Sequence, residues 1–299
     1  MTAALVVEQL LNGLQLGVML FLMAAGLTLV FGIMNFINLA HGSFYMLGAF
    51  FAASLIQWSG SFVVGLALSV ATCVLLALAV EAIAIRRLYA RDHLDQVLGT
   101  FSLIFFFNEV AASIWGTEPQ FIPTPALLSG SVRLLSGVQY PVLRLAVTAF
   151  GLLVALALYL LVAHTRLGML IRAGAADRRM VQGLGVNIGL LFSFTFALGA
   201  ALAGFAGVIT GPLLAVQVGI GEPMLIVAFV VVIIGGIGSI RGAFVAALLV
   251  GLVDTMGRFL LPAWFGYALG PALASMAIYI LMAATLLWRP QGLFPAARG

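Results

Sequence analysis

Asn35, Asn38 and His41 stand three residues apart in Phe31-Gly32-Ile33-Met34-Asn35-Phe36-Ile37-Asn38-Leu39-Ala40-His41-Gly42-Ser43-Phe44, a stretch that is otherwise almost wholly apolar. Wound as a helix, the three fall roughly on one face. An unpaired polar group in lipid costs on the order of several kcal/mol, so that face must look into protein or water. Neutral hydrogen-bonding groups at membrane depth can solvate the charged ends of a small solute without trapping it. The face is therefore a candidate translocation path. A competing reading has an asparagine cap a helix that breaks after Gly32. Glu8, Asn12 and Gln15 add a second polar stripe at i, i+4 and i+7 on the first helix. Glu8 suits an interfacial turn, whereas Asn12 and Gln15 are deep enough to line a cavity.

Several other chemistries are excluded. His41, His93 and His164 are scattered without metal-ligand spacing, so neither a metal site nor a cofactor is expected. Ser43, Ser131 and Ser239 lack the flanking glycines of a nucleophile elbow. His41 and Ser43, two apart on a helix, point in different directions. Gly236-Ile237-Gly238-Ser239-Ile240-Arg241 breaks the dinucleotide fingerprint at its last position. All 13 basic residues are arginine, so there is no Walker lysine and no Schiff-base lysine. The chain reads as no enzyme, and any ATP-driven step needs a separate ATPase chain. Glu109, beside Asn108, reads as a pathway group or a helix–helix bond. Asp254 and Arg258, acid first and four apart, read as a helical ion pair.

The elements that must position these groups are membrane helices. The chain is 64% hydrophobic and 7% charged, far below the roughly 25% charged residues of a soluble domain. Apolar runs fill the 299 residues as one transmembrane domain, 1–299, with no room for a soluble one. Nine segments are long enough to read as spans: about 9–33, 42–57, 62–85, 97–115, 142–163, 189–211, 224–239, 243–261 and 271–288. The second and seventh are short and flanked by glycine, so either can be re-entrant or broken. The first residues carry Glu8 and no basic n-region, so the first run is expected to stay as a span.

Strict alternation puts Arg86, Arg87, Arg91, Arg166, Arg172, Arg178, Arg179, Arg241, Arg289 and Arg298 on one side. Only Arg133, Arg144 and Arg258 fall on the other. The positive-inside rule makes the first side cytoplasmic, with the C-terminus inside and the N-terminus outside. This bias, rather than nucleic-acid binding, accounts for the net charge of +4. Small residues recur every four positions at Gly199, Ala203, Gly207 and Gly211, at Gly235, Ser239, Ala243, Ala247 and Gly251, and at Gly13 and Gly17. Such stripes let backbones approach closely, here within one bundle. His41-Gly42-Ser43-Phe44 is faintly echoed by Arg241-Gly242-Ala243-Phe244. The loop Thr165–Asn187 mixes apolar and charged residues. It reads as a short cytoplasmic surface helix over 172–185, ending at a Gly-Leu-Gly turn and suited to docking on another protein.

Three stretches carry a resemblance. Gly26-Leu27-Thr28-Leu29-Val30-Phe31-Gly32 running into Asn38-Leu39-Ala40-His41-Gly42 is one. The Thr165–Asn187 loop followed by Thr195-Phe196-Ala197-Leu198-Gly199-Ala200-Ala201-Leu202-Ala203-Gly204 is the second, and Gly235-Gly236-Ile237-Gly238-Ser239 the third. Together they resemble the permease subunit of branched-chain amino acid ABC importers, the LivH type, over nearly the whole chain. The resemblance implies an all-α polytopic permease fold of about eight to nine transmembrane helices in a bacterial inner membrane. It implies a second permease subunit (LivM-like or a second copy), two cytoplasmic ATPase subunits and a periplasmic substrate-binding protein. It also places an ATPase-coupling loop on Arg172, Asp177, Arg178, Gln182, Gly183 and Gly185. Ala176 departs from the family, which often has an acid before the aspartate. Related permeases move urea, amides or aromatic acids. A stand-alone ion-coupled carrier or channel would need paired membrane acids, and only Glu109 and Asp254 are deep candidates.

Overall fold

The computed structural model describes residues 3–135 and 138–294. Helix forms on all nine apolar stretches. In chain order these are α1 (Ala3–Met34), α2 (His41–Ser59), α3 (Phe62–Leu88), α4 (His93–Trp115) and α5 (Val142–His164). Two short helices follow, α6 (Arg166–Ala176) and α7 (Arg178–Gly183), and then α8 (Ile188–Thr210), α9 (Gly221–Gly235) and α10 (Ile240–Trp288). Between α4 and α5 a small antiparallel ribbon pairs β1 (Ser131–Leu135) with β2 (Val138–Pro141). The architecture is an all-α polytopic bundle.

α10 is 49 residues long and folds back on itself at Gly266, whose φ of 75° and ψ of 169° suit only glycine. Its arms, 240–265 and 267–288, are the last two expected spans. They lie so close that a Cβ on Gly270 would collide with the Pro262 backbone.

Six helices among the described residues are long and apolar enough to cross a membrane. α9, with 15 residues, is about 22 Å long and falls short of a hydrocarbon layer of about 30 Å. α2 and α9 both begin inside the bundle, where His41, Gly42, Ser43 and Gly221 are buried. Gly42 and Gly221 meet backbone to backbone, and Gly235, at the far end of α9, meets Gly242 of α10 in the same way. α9 is thus wedged between the first turns of two helices.

α1 is the hub, packed by α5, α8, α9 and α10. Gly13 and Gly17 lie against Leu248, Gly251 and Leu252 of α10, and Gly26 lies against Gly199 of α8. α2 crosses α8 where Gly48 meets Gly204 and Tyr45 meets Gly207. The small-residue stripes therefore pack on one another within the chain. One expected stripe is corrected. Gly235–Gly251 is not a single helix face, because a turn with φ of 100° at Gly236 and 82° at Gly238 interrupts it. Ser239 then caps α10 by accepting from the Gly242 N–H at 3.1 Å. The chain after α10 returns to this turn, and the N–H groups of Leu293 and Phe294 donate to the Ile234 and Gly235 carbonyls at 2.8 and 3.1 Å. Those bonds satisfy acceptors that a helix end leaves open.

The arginines of 86–91, 166–179, 241 and 289 gather at one end of the bundle, and Arg133, Arg144 and Arg258 lie toward the other. Arg298 lies outside the described residues.

A side chain at the α2–α8 crossing tests this packing. A Cβ on Gly207 would strike the Tyr45 carbonyl oxygen, whereas one on Gly183 meets nothing within 4 Å. Gly207→Val is expected to lower the yield and Tm of the folded chain in detergent sharply, and Gly183→Ala to leave both unchanged. Equal melting curves for the two variants would contradict the crossing.

Candidate functional site

The helical face expected for Asn35, Asn38 and His41 does not form. α1 stops at Met34, and Asn35 takes a left-handed φ of 46°, which asparagine tolerates better than most residues. Residues 35–40 then run as non-helical chain back into the bundle, where α2 begins. That stretch would be untenable in lipid, but α4 supplies partners for its backbone. Gln96 Oε1 accepts from the Ile37 N–H at 3.5 Å, and Thr100 Oγ1 accepts from the Leu39 N–H at 3.2 Å. Asn35 is exposed at the arginine-rich end. His41 is buried on the Met23 carbonyl, to which its Nε2–H donates at 3.2 Å. Asn38 is fully buried, and neither Nδ2 nor Oδ1 has a partner. No side chain caps α2.

Asn12 and Gln15 do line a cavity. It holds about 570 Å³ and opens at the end away from the arginine-rich surface, between α1, α5, α8 and α10. Arg144, in the first turn of α5, donates from Nη1 to Asn12 Oδ1 at 2.8 Å and to Gln15 Oε1 at 3.2 Å. The Tyr140 hydroxyl donates to the same Asn12 oxygen at 3.1 Å. Burial pushes the Tyr140 phenol up from its usual range, with Arg144 opposing, so it serves as a neutral donor. Asp254 and Arg258 face the cavity as the expected ion pair, Nε to Oδ2 at 2.9 Å. The cavity ends blind at Met19, because α1 is buried from Gly17 through Val30. A second cavity of about 350 Å³ shares Thr210 and Leu214 with the first and reaches Met224 in the opening turns of α9.

The loop 165–187 forms two helices rather than one. Asp177 ends α6, and its Oδ1 accepts from the Met180 N–H at 3.0 Å to cap α7. An aspartate in mid-segment competes for backbone donors in this way and breaks the expected single helix over 172–185. The Gly-Leu-Gly end forms, with Gly185 at a φ of 85°. Arg172, Asp177, Gln182, Gly183 and Gly185 are exposed, whereas Arg178 turns inward, 5.4 Å from the Phe192 ring centroid. The surface is also apolar: Met169, Met180 and Leu184 are exposed.

Two polar clusters escaped sequence reasoning. Glu81, on a π-wound turn of α3, is buried and accepts from Arg86, Tyr89 and Ser193 at 2.9 to 3.0 Å. Asn108 Nδ2 donates to Glu222 Oε1 at 2.6 Å, which ties α4 to the first turn of α9. The Gly221-Glu222-Pro223 run, with an acid and a proline at a helix start, is the signal that marks Glu222. Glu109, beside Asn108, points out of the bundle and lines neither cavity.

The profile of the family described as "Branched-chain amino acid transport system / permease component" matches residues 9–286. The chain belongs to this permease family. Among relatives, the high-affinity branched-chain amino acid transport system permease protein BraD of Pseudomonas aeruginosa is 31% identical over 96% of this chain and 94% of its own. The permease protein LivH of Escherichia coli K12 is 27% identical over 95% and 96%. The probable branched-chain amino acid transport permease protein LivH of Methanocaldococcus jannaschii is 27% identical over 92% and 88%. No solved structure matches the chain. As a member of the branched-chain permease family, the protein is a multi-pass membrane subunit of an ABC importer, a transport component and not an enzyme.

The permease's break at residues 35–40 yields a contrast. Gln96 accepts from Ile37 and donates to the Arg91 carbonyl at 3.0 Å, whereas the Asn38 side chain has no partner among the described residues. Gln96→Leu is expected to cost about 1–3 kcal/mol by leaving buried partners unmade. Asn38→Leu removes two unpaired groups and is expected to leave Tm equal or higher. Thermal melts of both variants in one detergent decide the point, and a destabilised Asn38→Leu beside an unaffected Gln96→Leu would reverse the assignment.

Proposed function

We infer that the chain is one of the membrane subunits of a bacterial inner-membrane importer of branched-chain amino acids. The observation that carries this reading is the match to permeases of that name over more than nine-tenths of the chain. The substrate comes from a periplasmic binding protein. A second permease, a LivM-like chain or another copy, completes the membrane part. Two cytoplasmic ATPases drive it, since this chain has no lysine with which to hold a nucleotide phosphate.

The arginine-rich end is cytoplasmic by the positive-inside rule. In that orientation the C-terminus lies inside, and the cavity at Asn12 and Gln15 opens to the periplasm as the outer part of the path. α6 and α7 then form the ATPase-docking surface. Arg172, Gln182, Gly183 and Gly185 present it, and Asp177 holds its bend. Arg178 secures it to the bundle through Phe192. Asn38 and His41 belong to the hinge between α1 and α2 beneath the cavity, and Asn35 sits at that hinge's cytoplasmic end.

Two measurements test this. The purified chain alone is expected to hydrolyse no ATP; turnover by the contaminant-free subunit would overturn the division of labour. In the assembled complex, cysteines at Met180 and Gln182, both exposed, are expected to crosslink to the ATPase. A cysteine at Glu118, beyond α4 at the opposite end, is expected to react only with a periplasmic reagent. Periplasmic labelling at Met180 or Gln182 without an ATPase crosslink would refute the orientation.

A further inference from the structure

The larger cavity offers three kinds of surface in one space. The first is a cation with spare donors. Arg144 spends Nη1 on Asn12 and Gln15, and among the described residues no carboxylate pairs with it. Asn12 and Gln15 leave its Nη2 and Nε unused, and two such donors match a carboxylate's two oxygens. The amide oxygens of Asn12 and Gln15, both turned onto Nη1, hold the guanidinium in place before any ligand arrives.

The second is an anion with a spare acceptor. Asp254 is only 15% exposed in its side chain and gives Oδ2 to Arg258, while Oδ1 receives no hydrogen bond from the described residues. Arg258 is 63% exposed, so its hold on Asp254 is that of a solvated surface pair, which is weak. The third is an apolar wall made by Leu16, Met19, Leu213, Leu214 and Phe259. The volume, about 570 Å³, lies within the range of small-molecule sites.

We propose that this cavity binds the zwitterionic head of an apolar α-amino acid, with Arg144 taking the carboxylate, Asp254 the ammonium group and the apolar wall the side chain. The inference rests on the amino-acid importer reading and adds to it the residues that recognise substrate within the permease. The charges discriminate. A neutral urea or amide pairs with neither ion, and an aromatic acid lacks the ammonium that Asp254 needs, so it leaves a carboxylate uncompensated in a partly buried site. Arg144 and Arg258 outweigh Asp254 by one charge, which favours a ligand that presents its carboxylate first. The ion pair to Arg258 gives the ammonium a partner to displace rather than an empty acid to neutralise. That keeps binding shallow enough for release.

The test uses the complete transporter in detergent, without its binding protein, and labelled leucine as the probe. Competitors are 4-methylpentanoate, which is leucine without its ammonium, and 3-methylbutylamine, which is leucine without its carboxylate. For the wild type, leucine is expected to bind saturably and each competitor to be at least about tenfold weaker. Asp254→Asn is expected to erase the penalty on 4-methylpentanoate alone, and Arg144→Gln the penalty on 3-methylbutylamine alone. Leucine affinities within about twofold of wild type in both variants would overturn the inference while leaving the importer reading intact. Failure of the wild-type complex with its binding protein to import any amino acid would overturn the importer reading instead. Should Arg144→Gln fail to assemble, Thr255→Cys, on the same cavity wall, decides. Leucine is expected to protect this cysteine from a periplasmic thiol reagent and 4-methylpentanoate is not; equal protection, or none, refutes the site.

Discussion

Lipid tails are as apolar as leucine, so burial gives membrane helices little reason to associate, and close contact between backbones takes its place. The Gly42–Gly221 and Gly235–Gly242 contacts are the extreme case here, since at each a Cβ would run into backbone. They fix α9 at both ends. With α9 held, α2 can begin inside the bundle rather than at its surface, and the chain 35–40 must fold back to reach that start. The break, the hub position of α1 and the two cavities toward the end away from the arginine-rich surface all follow from where these glycines meet.

The distribution of polar groups obeys the same medium. Backbone that is not helical needs a protein partner at this depth, and Gln96 and Thr100 of α4 provide it for residues 37–39. Many charges are at the arginine-rich end, in the Glu81 network that joins α3 to α8, or in the cavity, while Glu222 is held by Asn108 at the start of α9. Thr28, Asn38, Asn108 and Glu222 retain buried atoms without partners, and each such atom costs free energy in this arrangement. All four lie on or beside elements that meet at the starts of α2 and α9, the least saturated part of the core.

Much of this was legible in the sequence. Nine apolar runs became nine helical stretches, the two runs flanked by glycine became the two helices that start inside, and the small-residue stripes became contacts. Asn12 and Gln15 were legible as cavity residues because an i, i+3 polar pair deep in a long apolar helix has few other uses. The break was harder to see. A three-residue polar spacing is the same whether the chain is helical or extended, and what decides is the presence of Gln96 and Thr100 some sixty positions away. The charge pattern puts Asp177 inside one helix, because its cap bond depends on local geometry that such a pattern does not express. Arg144 looked like a minority charge in an orientation count, and its alignment by Asn12 and Gln15 across more than a hundred residues is a property of the fold alone.

The same fold joins the outer surface of the arginine-rich end to the break by ring contacts. Arg178 of α7 lies over Phe192 of α8, Phe192 meets Tyr89 edge-on at 5.4 Å, and Tyr89 meets Phe36 edge-on at 5.6 Å. Phe36 is itself in the non-helical chain and fully buried. Tyr89 cannot swing freely, because its hydroxyl donates to Glu81, which is held by Arg86 and Ser193. Close-packed rings of this kind have no slack, since a gap of even half an ångström forfeits a quarter or more of the contact energy. Contiguity alone does not establish coupling. It does fix the geometry: α7 cannot shift against α8 without either opening the Arg178–Phe192 contact or moving Phe192, and any movement of Phe192 bears on Tyr89 and, through it, on the segment that lets α2 start inside the bundle.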